Sequence, residues 1–447
     1  MTYLDFPSPV WLQFLILAVL LFVIVRTRVY GALAFFLACN YNSLIVRMGP
    51  TTLVPIAFGG LGVAALLHLR NRKAFKLHAS WRHLSACYLA LMGWVLVRGL
   101  IGLRDSPAER QALLFLVIVI NIIPVLLADA LSWDDQAVGH FAQGFVLAVV
   151  VQMVIVWNRA LGAGLSWTTW TTDFWLTKWA NDEMSPFNAL TGIMNYHWYS
   201  WNLGIAVLTV LFVLRRRDSR YRLLELSAAV VFTIACVQQV AIVGSRQSII
   251  ALILAVFATA WTRVRKALLN IGVFVILSVA ILAGLRVLAD LEPLPPALMH
   301  GAATVGEAFD PVLGRGQVWK AGFDVIRDAP LVGTGLASED GFSLGHNIIL
   351  NTLANFGLIG LTVFVLLVAM YVHGPLRSAL RQGGAGIDMN RGLVGAQLFL
   401  LFTAMASGSV IASSGLFWLG AILVRRAPSA PRVQVTAVQY RPQHLSA

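Results

Sequence analysis

Apolar runs of membrane-spanning length recur along this chain, with short polar stretches between them. A hydrocarbon core about 30 Å thick takes about 20 residues of helix, fewer where a helix is short or re-entrant. Such runs lie at roughly 10–25, 29–46, 51–67, 84–101, 111–131, 139–157, 199–214, 223–243, 247–262, 267–288, 347–373 and 392–424. The last is too long for one span. Ala406-Ser-Gly-Ser409 and Ser413-Ser-Gly415 interrupt it, so it reads as a hairpin. The pattern predicts an all-α polytopic integral membrane protein with about 12 transmembrane helices.

Composition narrows the class and orients it. Of the 447 residues, 58% are hydrophobic and 12% charged, and the mean hydropathy is +0.78, whereas soluble domains are about a quarter charged. The first run follows Asp5 rather than a basic stretch and has no small-residue cleavage site after it, so it reads as a retained span rather than a signal peptide. Cys39, Cys87 and Cys236 sit in different apolar runs and read as core residues, with no disulfide or metal cluster. The net charge of +13 collects between runs, at Arg70–Arg82, Arg215–Arg222, Arg263–Lys266, Arg377–Arg391 and Arg425–Arg426. That clustering marks these loops as cytoplasmic and argues against a nucleic-acid partner. The loops are short and basic and offer no nucleotide site. The hairpin then gives a cytoplasmic C-terminus and an external N-terminus. Asp134 and Asp135 fall against this trend, in a cytoplasmic loop without basic residues.

Two long segments land outside. Within 158–198 lie Trp167, Trp170, Trp175, Trp179 and Trp198, with Trp157 and Trp201 at its edges, half of the chain's 14 tryptophans. Two readings fit: a belt of rings at headgroup depth, or a platform for the C–H faces of sugars. The other segment, 289–346, opens on Pro293, Pro295 and Pro296. From Arg315 to Ala329, Val318, Gly322, Val325 and Ile326 recur at helical spacing while Arg315, Lys320, Asp324 and Arg327 face elsewhere. This predicts an amphipathic helix on the outer membrane surface, stopped by Pro330. The layout is therefore N-terminal helices over 1–288, a periplasmic segment over 289–346, C-terminal helices over 347–426 and a tail over 427–447.

Candidate chemistry lies where charge has no topogenic reason. Arg246 sits in the outer turn Gly244-Ser-Arg-Gln247, and Arg315 opens the amphipathic helix. Each is either a snorkelling or surface cation or a planar fork for phosphate oxygens. His346 precedes the run 347–373 and suits proton transfer, since the positive end of a helix dipole disfavours its charged form. Asn347 is placed to cap that helix, and Glu339 and Asp340 are near enough in sequence to orient the imidazole. Arg98, inside a span, either lines a cavity or snorkels outward. Gly333 and Gly335 make a turn with no nucleotide fingerprint behind it. The outer segments carry no metal-ligand spacing, and no cofactor is called for.

Gly244-Ser-Arg246, Arg315-x-x-x-Trp319, Ile326-x-x-x-Pro330-Leu-Val-Gly333-x-Gly335, His346-Asn347 and Phe356-Gly-Leu-Ile-Gly360 follow one another over about 120 residues. In that order they resemble the O-antigen ligase and polymerase superfamily. The resemblance implies a GT-C-like glycosyltransferase in the bacterial inner membrane with its active site on the periplasmic face. It implies an undecaprenyl-diphosphate-linked glycan donor, a lipid A-core acceptor, Arg246 and Arg315 on the diphosphate, and His346 as the base of an inverting, metal-independent transfer. The nearest alternative is a polymerase whose acceptor is another lipid-linked glycan. A transporter is more remote: it would need ionisable residues at mid-membrane, whereas the mid-span polar residues noted are Asn121, Pro124, Gln238 and Gln239.

Overall fold

The computed structural model describes residues 10–39, 47–48, 51–71, 81–103, 107–162, 196–214, 222–242, 246–260, 315–336, 347–373, 387–407, 410–411 and 413–426. They form α1 (Val10–Cys39), a two-residue antiparallel pair β1 (Arg47–Met48) and β2 (Thr51–Thr52), α2 (Leu53–Asn71) and α3 (Trp81–Gly102). There follow α4 (Pro107–Phe115), a π-helical turn (Leu116–Ile122), α5 (Ile123–Ala130), α6 (Asp135–Gly162) and α7 (Tyr196–Leu208), extended by a π-turn to Val213. Then come α8 (Arg222–Ile242), α9 (Arg246–Ala260), α10 (Arg315–Asp328), α11 (Ile348–Val368), α12 (Ile387–Ser407) and α13 (Ser414–Arg426).

Among the described residues, five stretches are long and apolar enough to cross a membrane: Gln13–Cys39, Ser85–Gly102, Leu113–Ala130, Asp135–Asn158 and Ile348–Val372. Four shorter apolar helices join them, within α2, α7, α8 and α9. This is a multi-pass membrane protein. The expected run 267–288, residues 163–195 of the aromatic segment, and the tail lie outside the described residues.

The chain reverses where the first two runs were separated. Arg28 takes a left-handed backbone (φ 56°) inside α1. Leu20 and Ile24 before it and Phe36 after it all meet α2 near Phe58 and Gly60, while Tyr30 meets His68 two turns further along. The second arm crosses α6 closely: a β-carbon on Gly144 would stand 2.5 Å from the Gly31 α-carbon. Small residues permit such approaches between helices in lipid.

α13 is the axis of the core. Every residue from Ser414 to Leu423 is buried, as expected of a helix surrounded on all sides. Trp418 packs on Phe141 and Phe145 of α6, and Phe417 on Tyr88, Phe364 and Tyr371. The hairpin expected for 392–424 is there, as α12 and α13 with Val410 and Ile411 between them.

The core is more polar than the sequence reading allowed. Gln152 (α6) and Asn202 (α7) both donate to the Ala38 carbonyl, each at 2.6 Å. Gln397 donates to the carbonyls of Tyr371 (2.8 Å) and Leu416 (2.9 Å), and Asn121 to those of Leu116 (2.9 Å) and Ile411 (3.1 Å). Each amide serves a carbonyl at a helix end or interruption, where lipid offers no donor. These residues are fold, with no titratable midplane pair among them.

The odd placement of Asp134 and Asp135 also has a reason. Asp134 accepts from the Ala137 amide (2.7 Å) and so caps α6. Asp135 pairs with Arg426 at 2.6 Å, and Asp129 pairs with Arg425 at 2.8 Å while accepting from Ser85 at 2.6 Å. The acidic loop therefore meets basic residues contributed by α13.

Candidate functional site

At the opposite end of α3, a turn is built into a broken helix. Pro330 ends α10, and Gly333 and Gly335 turn the chain with left-handed backbones (φ 71° and 77°). α11 breaks at Gly357 (φ 66°). In an unbroken helix Leu358 would donate to Ala354 and Ile359 to Asn355. Here the turn takes all four groups. Thr334 and Gly335 donate to the carbonyls of Ala354 (3.0 Å) and Asn355 (2.8 Å), and the carbonyls of Pro330 (2.9 Å) and Leu331 (3.2 Å) accept from Leu358 and Ile359. The backbones are too close for a side chain. A β-carbon on Gly333 would meet Asn355, and one on Gly357 would meet the Leu331 carbonyl. Gly335 and Gly357 are 22 residues apart in the sequence; the structure makes their two motifs one joint.

α3 clamps this joint from the side. Trp94 Nε1 donates to the Phe356 carbonyl at 2.9 Å, and Arg98, four residues on and on the same helical face, donates to the Gly333 carbonyl. The Arg98 carbonyl backs onto Gly335, where a β-carbon would stand 2.5 Å away. Arg98 thus neither snorkels freely nor stands alone at mid-membrane. Its Nε is buried without a hydrogen-bond partner among the described residues. Trp94 escaped the sequence reading, although Trp and Arg at i, i+4 in an apolar run were the available signal.

The cap expected of Asn347 is formed. Its Oδ1 accepts from the amides of Ile349 (2.9 Å) and Leu350 (3.3 Å), and its Nδ2 donates to the Met405 carbonyl near the end of α12 (2.8 Å). One side chain therefore fixes the start of α11 against the last hairpin.

The other candidates are placed by backbone alone or lie beyond view. Arg315 is the first residue of α10, with Trp319 one turn on, and α10 packs along α11 with Gly322 buried and Asp324 and Arg327 exposed. That is the amphipathic division expected. Arg246 is the first residue of α9; two residues later Ser248 shares a 3.0 Å hydrogen bond with Ser200 of α7. His346, Glu339 and Asp340 lie outside the described residues. The structure brings together Arg98, Gly333 and Gly335 at the break in α11, and holds Asn347 at the other end of that helix stretch against Met405.

Residues 232–365 match the model of a family described as O-Antigen ligase, which bears out the superfamily resemblance. The matched stretch contains Arg246, Arg315, Trp319, the turn, His346, Asn347 and the break at Gly357; Arg98 lies outside it. No curated protein matches the chain.

Proposed function

We propose that the chain is an O-antigen ligase, a GT-C-like bundle of about 12 spans in a bacterial inner membrane. It moves a polysaccharide from undecaprenyl diphosphate to a sugar hydroxyl of lipid A-core on the periplasmic face. The supporting observation is the turn-and-break joint: backbone bonding and a capped helix start hold in one assembly the segment that opens with Arg315 and the segment that follows His346. A rigid frame of this kind is what oriented catalytic groups require.

In the mechanism, Arg246 and Arg315 bind the diphosphate and offset the charge that grows as it leaves, the task a metal ion performs elsewhere. His346 takes the proton of the acceptor hydroxyl while its oxygen attacks the anomeric carbon. The new C–O bond forms as the bond from that carbon to the diphosphate oxygen breaks, inverting the centre. Undecaprenyl diphosphate leaves, and the imidazolium returns its proton to solvent. Arg98 acts through the Gly333 carbonyl as a positioning residue. The donor carries the energy, so no cofactor or nucleotide takes part.

The test is a reconstituted reaction in EDTA with undecaprenyl-diphosphate-linked glycan and lipopolysaccharide lacking O-antigen. Sugar transferred to lipid A-core is the expected result. Elongated lipid-linked chains with lipopolysaccharide untouched would make it a polymerase, and no transfer to either would return the transporter reading.

A further inference from the structure

The reversal inside α1 puts two arginines at the tip of a hairpin. Thr27 between them is fully buried and donates to the Val23 carbonyl, while Arg26 and Arg28 on either side are exposed. The tip is docked against its neighbours. The Tyr30 hydroxyl donates to the Ser132 carbonyl at 2.9 Å, and its ring packs edge-on against His68 of α2 and Trp133. A β-carbon on Gly31 would stand 3.2 Å from the His140 carbonyl of α6. His140 is near enough to feel the charges of both Arg26 and Arg28.

These two cations are uncommitted. Neither Arg26 nor Arg28 has an ion-pair partner among the described residues. The acids at this end are engaged elsewhere: Asp134 on the Ala137 amide, Asp135 on Arg426 and Asp129 on Arg425. Even with Asp134, whose charge also acts on His140, two permanent cations face one acid. Arg28 moreover holds a left-handed backbone (φ 56°) that glycine would adopt without strain.

An apolar ridge runs straight to this tip. Leu15, Ala18, Phe22 and Arg26 follow one another at three- and four-residue steps along the first arm of α1, and all four are exposed. Beside Arg26, Val25 is 81% exposed. An acyl chain lying on this ridge brings its headgroup to the arginines. The chemistry selects the ligand. A bare acyl chain fits the ridge and ignores the guanidiniums, whereas inorganic phosphate does the reverse. A zwitterionic headgroup brings an ammonium that the engaged acids do not pair. A phospholipid whose headgroup is net negative uses both the ridge and the cations.

We propose that the tip of the α1 hairpin, through Arg26 and Arg28, is a binding site for the phosphate of an anionic phospholipid in the leaflet at this end of the bundle. The two planar forks take the phosphate oxygens, and the bound headgroup offsets the backbone cost at Arg28. The site is independent of the transfer reaction. The experiment is a thermal-shift titration of the full chain in dodecyl maltoside micelles, with phosphatidylglycerol, phosphatidylethanolamine and inorganic phosphate as separate probes. Wild type is compared with the double variant Arg26→Gln, Arg28→Gln. A control, Arg215→Gln with Arg216→Gln, removes the same charge from another basic loop. Arg26→Gln alone, at a regular helical position, serves where the double variant does not fold.

Phosphatidylglycerol is expected to raise the wild-type melting temperature, and the other two probes to leave it unchanged. The mole fraction that gives half the rise should increase about fivefold in Arg26→Gln and about thirtyfold in the double variant, at about fivefold for each cation near the membrane surface. The control should titrate as wild type does. No rise with phosphatidylglycerol, an equal rise with phosphatidylethanolamine, or a rise with inorganic phosphate alone would overturn the site. So would an unchanged midpoint in the tip variants, or an equal loss in the control, which would reduce the effect to the general charge of the basic loops.

Discussion

α3 joins two regions that are held by different means. Near its start, Ser85 belongs to an ionic lock in which Asp129 and Arg425 meet at 2.8 Å and Asp135 and Arg426 at 2.6 Å. Thirteen residues on, about 20 Å along the helix, Arg98 belongs to a joint made mostly of backbone hydrogen bonds and glycines. In the lock, charges are spent on each other and close the bundle. The difference teaches two ways of closing a bundle in lipid: charge against charge at one end, and backbone against backbone, through glycines that admit the close approach, at the other.

That contrast can be broken first at the joint. Gly357→Val places a β-branched residue at φ 66° against the Leu331 carbonyl. It is expected to cost about 3 kcal/mol or more, combining a left-handed backbone with a clash that only backbone movement relieves. The readout is folded yield and melting temperature in detergent; a variant as stable as wild type would show that the joint does not hold the fold. In the lock, Asp129→Asn keeps a group for Ser85 but leaves Arg425, 13% exposed, without its charge partner. A loss of about 3 kcal/mol is expected, partly recovered by adding Arg425→Met, because the second substitution removes the cation that the first leaves without its charge partner.

Arg98→Lys sharpens the comparison from the functional side. Lys offers a point charge where the guanidinium has a planar fork. Transfer is expected to fall about tenfold, worth about 1.4 kcal/mol, while the melting temperature changes little. An equal loss in both would make Arg98 a structural clamp only. The smallest effect belongs to Asp135→Asn. Asp135 is 71% exposed, and an exposed pair contributes about 0–1 kcal/mol. A large fall in stability there would mean that the lock depends on its outer member.

Much of the fold was legible because hydropathy in lipid admits few solutions. The boundaries of α3, α8 and α11, the amphipathic α10, the broken last run and the reversal near Arg28 all follow from where apolar residues stop. The polar interior was not legible. Gln152, Asn202 and Gln397 serve carbonyls at helix ends that only tertiary contact creates, and nothing in their spacing announces it. The Asn347 cap was readable, being local. The joining of Gly333 and Gly335 to the break at Gly357 was not, since it depends on which groups a neighbouring segment takes. Asp135 looked misplaced because its partner, Arg426, becomes a neighbour only in the fold, whereas the Asp134 cap on the Ala137 amide is as local as that of Asn347 and went unread.

The most direct test of the catalytic account is His346→Ala in the reconstituted reaction, measured beside wild type and beside Arg246→Ala and Arg315→Ala at rising donor concentration. Transfer is expected to fall at least 100-fold in the histidine variant at every donor concentration, the contribution of a positioned base. The arginine variants should recover in part as donor is raised. A histidine variant that transfers sugar at the wild-type rate, with its melting temperature unchanged, would contradict the account.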